Sequence, residues 1–263
     1  MKRKDKKFNP IYLILVILFF IVCIVIFFKK DDIIHSYNYS ILNTDSSAQI
    51  VTTYAAETKE VKQEEKQETM KELDYKWSYD NRDWTYKLKI PDSYYDRYKN
   101  VSRKSMGVNN YSAYVTDTSD DQWVNSLAKA FIKEGKNDGY SDTKIIELMI
   151  SFVQSLNYLE DKATTGFDEY PKFPLETLYD KGGDCEDTSI LLVSLIRETG
   201  YGVALLQFEG HMAVGLKCSE NMPGSYFTYN NERYYYVETS SKGWKIGQLP
   251  DEIKGQSAEI FPV

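Results

Sequence analysis

The chain has few cysteines and few histidines. Its 263 residues include three cysteines and two histidines. Only Cys185 and Cys218 follow the first thirty residues, so that part of the chain can form at most one disulfide. His35 comes directly behind an apolar segment, which leaves His211 as the histidine available to a site in the remainder.

Basic charge is also scarce. Lysine and arginine total 32 against 39 aspartates and glutamates, which gives a formal net charge of −7. Binding to nucleic acid needs a clustered basic face, and no basic stretch after the first thirty residues supplies one. A nucleic-acid partner is therefore not expected.

One long apolar run stands near the amino terminus. Residues 11–28 are 18 consecutive apolar or aromatic residues, about the length that crosses the hydrocarbon core of a bilayer. Five basic residues precede the run, which predicts a cytoplasmic amino terminus, a single membrane helix and an extracytoplasmic remainder. A cleaved signal peptide or a lipid anchor on Cys23 are the alternatives, but the run ends in IFFKKDD and lacks a small-residue processing site.

The rest of the chain divides by composition. Residues 1–30 are a cytoplasmic basic tail with the membrane helix, and 31–74 are a polar, flexible stalk, partly helical near its end. Residues 75–120 begin with a tyrosine- and tryptophan-rich stretch that predicts one or two strands ended by Pro91. Residues 121–263 form the main domain.

The main domain has a mixed pattern of helices and strands. DDQWVNSLAKAFIKEG and SDTKIIELMISFVQSLNYL predict helices, the second capped by Ser141 or Asp142. The apolar run 190–196 before Gly200 predicts a buried helix, and GVALLQFEGHMAVGLK with RYYYVETS predicts three antiparallel strands. The fold class is therefore α+β.

The stretch KGGDCEDTSILL places a cysteine at the start of the buried helix. Its glycines suit a sharp turn, Asp184 suits a helix cap, and Cys185 then lies in the first turn. Unpaired backbone amides and the positive end of the helix dipole favour a thiolate there and could hold an oxyanion. A structural thiol, or a disulfide with Cys218, is the alternative.

A cysteine nucleophile needs a base, and His211 opens a strand directly after the turn residues Glu209 and Gly210. Glu238 alternates with Tyr234 and Tyr236 along a strand and is the expected acceptor for the imidazole. Asp251 is another acid that could take this role.

Gln154, in the apolar helical context FVQSL, is a further candidate, because a side-chain amide near the thiol could contribute to an oxyanion hole. A glutamine that simply faces solvent is the alternative. Asp184, Glu186 and Asp187 crowd around Cys185, but a soft thiolate beside hard carboxylates without further histidines is a poor set of metal ligands. Neither a metal nor a cofactor is predicted.

The ordered set GGDCEDTSILL, EGHMAVG and YYYVETS, followed by GWKIG, resembles the transglutaminase-like branch of the papain-like cysteine superfamily, above all its prokaryotic membrane-anchored members. The resemblance is most specific over residues 152–250. It implies a papain-like fold with the nucleophile at the start of a buried helix packed on an antiparallel sheet, and a triad of Cys185, His211 and Glu238. Many members have aspartate in the third position, so Glu238 departs from the pattern by one methylene.

Together these features predict a membrane-anchored extracytoplasmic enzyme that transfers acyl groups through a thioester. The expected activity is that of a peptidase, isopeptidase or amidase acting on a peptide or protein at the cell surface. A protein-glutamine gamma-glutamyltransferase shares the first half-reaction and is one alternative. A non-catalytic surface scaffold or binding module with the same fold is the other.

Overall fold

The computed structural model describes residues 68–103, 110–218 and 222–263. The predicted membrane helix at 11–28 and most of the predicted stalk lie outside these residues. Within them, no helix is both long enough and apolar enough to cross a membrane.

Helices and strands alternate along the described part of the chain. The helices are α1 (Asp92–Lys99), α2 (Ser112–Val115), α3 (Asp121–Asn137), α4 (Asp142–Val153), α5 (Asp161–Thr164), α6 (Pro174–Asp180), α7 (Cys185–Arg197) and a 3₁₀ turn at Asp251–Ile253. The strands are β1 (Met70–Tyr79), β2 (Arg82–Pro91), β3 (Asn157–Tyr158), β4 (Gly182–Gly183), β5 (Val203–Phe208), β6 (His211–Lys217), β7 (Tyr226–Tyr229), β8 (Glu232–Val237) and β9 (Glu259–Pro262). The α+β class predicted from the sequence is confirmed.

An antiparallel sheet of five strands in the order β7-β8-β6-β5-β9 forms one layer. Helix α7 packs on it against β5 and β6, and its residues from Ile190 to Val193 are fully buried. The helix followed by three antiparallel strands agrees with the sequence prediction. Strands β7 and β9 extend the sheet on its two sides and were not predicted.

The hairpin of β1 and β2 is longer than predicted. Asp80 and Asn81 both have positive φ, 52° and 59°, as a two-residue turn of the type common in hairpins requires. Strand β1 begins at Met70, inside the segment predicted as stalk, and Leu73 is only 3% exposed. The end of the predicted stalk is thus a strand, not a helix, because its alternate residues pack into the core.

The hairpin shares its core with the helices of the main domain. Tyr75 and Trp77 pack edge-to-face on Phe152 of α4, with ring centroids 5.3 and 5.1 Å apart. The Tyr75 hydroxyl also donates to the carbonyl of Leu178 at 2.6 Å. The described residues between 75 and 120 therefore belong to the same compact unit as the main domain.

The start of α4 and the end of α7 agree with the local signals predicted from the sequence. The Ser141 hydroxyl accepts from the backbone amide of Lys144 at 3.3 Å and caps α4. Helix α7 ends at Arg197, and Gly200 three residues later takes a φ of +78°. These local signals are correct because they depend on neighbouring residues alone.

Candidate active site

Cys185 is the first residue of α7, as predicted. Asp184 caps the helix reciprocally with Asp187: its carboxylate accepts from the Asp187 amide at 3.4 Å, and its own amide donates to the Asp187 carboxylate at 3.3 Å. Gly183 is needed for close approach, because a Cβ there would lie 2.3 Å from Cβ of Asp187. The residue with positive φ in this turn is Lys181, at +57°, and not either of the two glycines.

His211 and Glu238 are brought together by neighbouring strands. His211 opens β6, and Glu238 is the first residue after β8, which pairs with β6. Nε2 of His211 lies 3.1 Å from Oε2 of Glu238 and 3.3 Å from the hydroxyl of Tyr236. Nδ1 is therefore the ring nitrogen that remains for a thiol.

The carboxylate of Glu238 is held from both sides. Oε2 accepts from the Tyr236 hydroxyl at 2.6 Å, while Oε1 accepts from the amides of Thr239 and Ser240 at 3.0 and 2.9 Å and from the Ser240 hydroxyl at 2.7 Å. Burial alone raises the pKa of Glu238, but the hydrogen bonds from His211 and Tyr236 outweigh it and bring the pKa to about 2. Glu238 is consequently ionised at neutral pH.

Asp251, the other acid considered from the sequence, is placed differently. It is exposed in the 3₁₀ turn and forms an ion pair with Lys254. Among the residues that the structure describes, Glu238 is thus the acid in contact with His211.

A buried group of hydroxyls links α7 to the sheet. This contact was not predicted from the sequence. The Thr239 hydroxyl lies 2.9 Å from that of Thr188 and 3.0 Å from that of Ser189, both in the first turns of α7. Ser189 also donates to the carbonyl of Met212 at 3.3 Å. These contacts hold the start of α7 in register with β6 and with the residues after β8. Their sequence signal, small hydroxyl residues beside Cys185 and Glu238, is too common to identify them.

The thiol of Cys185 is oriented towards its neighbour in the chain. Sγ donates to Oε2 of Glu186 at 3.2 Å, and Cys185 is half-buried. Burial raises the thiol pKa, and the charge of Glu186 raises it further, with a backbone hydrogen bond from Met212 offsetting part of the effect. Burial and the neighbouring carboxylates thus oppose the thiolate that the helix start was expected to favour.

Cys185 and His211 both line an open cleft of about 880 Å³. Tyr111, Tyr158 and Phe208 contribute aromatic surface to the same cleft. Tyr158 is 55% exposed, so its ring lies at the solvent side. Cys185 is thus open to the solvent through this cleft.

Gln154 lies away from this cleft. Its amide nitrogen donates to the carbonyls of Glu238 and Trp244 at 2.8 and 3.1 Å, and its oxygen accepts from the amide of Gly243 at 3.1 Å. The side chain is 5% exposed and borders a different pocket, next to Trp77 and Trp244. Its amide is committed to the 238–244 loop, so this placement does not support the oxyanion role predicted for it.

Acidic groups converge beside the thiol. Asp161, Asp184 and Asp187 bring one carboxylate oxygen each within 4.8 Å of one another, as do Asp161, Glu169 and Glu186. Such oxygen sets suit hard cations. A lysine already forms an ion pair with the first set. Nζ of the fully buried Lys172 lies 3.3 Å from Oδ2 of Asp187, and it also lies 3.7 Å from Oδ2 of the neighbouring Asp180.

Among the described residues, neither Cys185 nor Cys218 is part of a disulfide. The disulfide considered from the sequence is thus not formed in the described structure, and Sγ of Cys185 is available to the cleft.

Comparison with known proteins gives distant likenesses. No family model matches the chain, and no curated protein matches it. Among solved structures, calcium-bound LapG of Legionella pneumophila is similar, with 19% identity over 60% of this chain and 82% of that one and a TM-score of 0.33. LapG treated with EGTA is 20% identical over 62% of this chain and 80% of that one, with the same TM-score. At this level of similarity the likeness carries no conclusion about activity or ligands.

Proposed function

We propose that this chain is a cysteine acyl-transfer enzyme that hydrolyses peptide or amide bonds. Cys185 is the nucleophile, His211 is the general base and acid, and Glu238 orients the imidazole. The observation that carries the proposal is the convergence of Cys185 and His211 on one cleft, with His211 held at 3.1 Å by an ionised, fully bonded Glu238.

The reaction begins from a protonated thiol. Sγ leaves Glu186 and turns to Nδ1 of His211, which takes its proton as sulfur attacks the amide carbonyl. The backbone amide of Cys185, in the first turn of α7, has no partner within the helix and can donate to the developing oxyanion. When the intermediate collapses, the imidazolium returns its proton to the leaving amine and a thioester remains on Cys185.

Water completes the cycle. His211 removes a proton from the water that attacks the thioester, and the acid product leaves as Cys185 regains its hydrogen. An amine in place of water would make the protein a crosslinking enzyme by the same steps. We propose water as the acceptor because the cleft is open to solvent.

The proposed setting is the one predicted from the sequence. With residues 11–28 in the bilayer, the domain would act outside the cytoplasm on peptides or proteins of the cell surface. The open cleft of about 880 Å³ has room for part of such a substrate.

A small neutral ester tests the proposal without knowledge of the natural substrate. The protein should turn over p-nitrophenyl acetate, and Cys185→Ala or His211→Ala should reduce turnover at least about a hundredfold. Cys218→Ala is the matched control and should keep wild-type turnover. Added methylamine should leave acetate as the main product. Predominant N-methylacetamide would identify an amine transferase. Turnover that is absent, or that is unchanged in Cys185→Ala and His211→Ala, would contradict the proposed function and favour the non-catalytic scaffold.

A further inference from the structure

Carboxylates form one wall of the cleft that holds Cys185. The acidic residues lining it are Glu160, Asp161, Asp168, Glu169, Asp184 and Glu186. Two basic side chains, Arg103 and Lys162, also line it, and both are already engaged: Arg103 pairs with Glu176, and Lys162 pairs with Asp168 at 2.8 Å. The wall beside the thiol therefore carries excess negative charge.

Asp161 is a buried member of this wall with one carboxylate oxygen that is unsatisfied within the described part of the chain. It is 3% exposed, and within the described residues its Oδ1 is buried without a hydrogen-bond partner. One of its oxygens lies within 4.8 Å of oxygens from Glu169 and Glu186. A buried carboxylate oxygen without a donor costs free energy until a proton or a cation reaches it.

Burial and mutual repulsion disfavour the ionised form of these carboxyls. Burial, followed by repulsion from Asp184, raises the pKa of Asp161 to about 7. Burial, followed by repulsion from Glu186, raises the pKa of Asp184 to about 8, and burial also raises the pKa of Glu186. A positive group placed among these carboxylates would offset the repulsion and lower their pKa values.

Two tyrosines stand next to the same carboxylates. Tyr111 lines the cleft together with Glu169 and Glu186, and burial, with added repulsion from these two carboxylates, raises its pKa to about 12. Burial also raises the pKa of Tyr158 to about 12, and repulsion from Cys185, Asp184 and Glu186 adds to this effect. Aromatic faces beside carboxylates accept both the methylene stem and the charged head of a long basic side chain.

We propose that the cleft selects peptides with a lysine or arginine side chain beside the scissile amide, and that this cation sits among Asp161, Glu169 and Glu186 with its stem on Tyr111 and Tyr158. The inference rests on the proposed function, since it assigns the substrate class of the same site. The cation also neutralises the charge that disfavours the Cys185 thiolate, so a basic substrate assists its own attack.

A matched pair of thiol-directed peptides tests this proposal. Two peptidyl chloromethyl ketones that differ only in lysine or norleucine beside the reactive carbon are compared by their rates of Cys185 alkylation. The lysine probe should react about tenfold faster at low salt, and the advantage should shrink as salt is added. Asp161→Asn and Glu169→Gln should each bring the ratio towards one. Glu252→Gln makes the same change in net charge at an exposed site outside the cleft and should keep the ratio.

The outcomes separate this proposal from the proposed function. Suppose that the two probes react at equal rates in a protein whose ester turnover still depends on Cys185 and His211. This result would overturn the proposed preference for basic peptides but would leave the proposed enzymatic function standing. Stoichiometric binding of Mg²⁺ or Ca²⁺ by calorimetry, together with equal probe rates, would make the acidic wall a metal site and also overturn it. Ester turnover that does not depend on His211 would instead contradict the proposed enzymatic function itself.

Discussion

The thiol of Cys185 donates a hydrogen bond of 3.2 Å to Oε2 of Glu186, the residue that follows it in the chain. His211, the expected base, uses Nε2 for Glu238 and faces the same cleft. Burial and the charge of Glu186 raise the pKa of the Cys185 thiol. In the proposed mechanism, His211 therefore takes the thiol proton as sulfur attacks the substrate.

Replacing Glu186 by glutamine should lower the thiol pKa. The substitution removes the negative charge that opposes the thiolate, so the pH midpoint of Cys185 alkylation by iodoacetamide should fall by about one unit or more. Mass spectrometry of the Cys185 peptide measures the rate at each pH. Glu252→Gln controls for net charge, and an unchanged or higher midpoint in Glu186→Gln would contradict the assignment.

Tyr236→Phe should impair the site without removing any member of the Cys185, His211 and Glu238 set. The hydroxyl lies 2.6 Å from Oε2 of Glu238 and 3.3 Å from Nε2 of His211, so its loss frees both groups to rotate. Turnover of p-nitrophenyl acetate should fall about tenfold, as is common when a group that orients an active residue is lost.

The matched control is Tyr235→Phe. That change removes the same atom from the preceding residue, whose hydroxyl accepts from the backbone amide of Met222 at 3.1 Å. Turnover should be nearly unchanged in this variant. A similar loss in both variants would assign the effect to the strand and not to the site.

Glu238 should contribute to stability in a defined acid window. Its pKa is lowered from 4.5 to about 2 on folding, so the stabilisation is complete above pH 4.5 and is lost as pH falls towards 2. The loss is about 3 kcal/mol of unfolding free energy. Urea unfolding at pH 3 and pH 6 should show a smaller difference for Glu238→Gln than for the wild type. An equal difference would contradict the low pKa.

Asp161 should act in the opposite direction. Because its pKa rises from 3.8 to about 7 on folding, its ionisation destabilises the folded state as pH rises from about 4 to about 7. The stability of Asp161→Asn minus that of the wild type should therefore be larger at pH 8 than at pH 5. Both are measured in buffer with a chelator. Thermal unfolding at both pH values measures the gain, and a pH-independent difference would contradict the prediction.

Gln154→Ala should loosen the loop that follows Glu238. The change leaves the buried carbonyl of Glu238 without its donor and removes the acceptor for Gly243, at a cost of about 2–4 kcal/mol. Chemical denaturation measures the cost, and hydrogen exchange of residues 238–244 should increase. Gln248→Ala, in the same region but exposed, should cost under about 1 kcal/mol. Equal costs would show that Gln154 does not hold the loop.

The positions of Cys185, His211 and Glu238 could be predicted because each is marked locally. An acidic cap after two glycines starts a helix, Glu209 and Gly210 turn the chain into a strand, and period-two alternation puts Glu238 on the side of Tyr236. Their spatial meeting then follows from packing one helix on an antiparallel sheet.

Features that depend on distant contacts could not be predicted. The role of Gln154 is decided by residues some 84 to 90 positions away, and its apolar helical context gives no sign of them. The reactivity of Cys185 depends on how deeply the fold buries it and on which carboxylates crowd around it. Strand β9 comes from the end of the chain to pair with β5, a contact that no local pattern specifies.

The most direct test of the acyl-transfer mechanism is to trap the acyl-enzyme. Protein mixed with p-nitrophenyl acetate is quenched in acid within one turnover and mapped by mass spectrometry. The mechanism predicts an acetyl group on Cys185, labile to hydroxylamine, that is formed much more slowly in His211→Ala and is unaffected by Cys218→Ala. An acetyl group on other residues only, or formation on Cys185 at the same rate without His211, would contradict it.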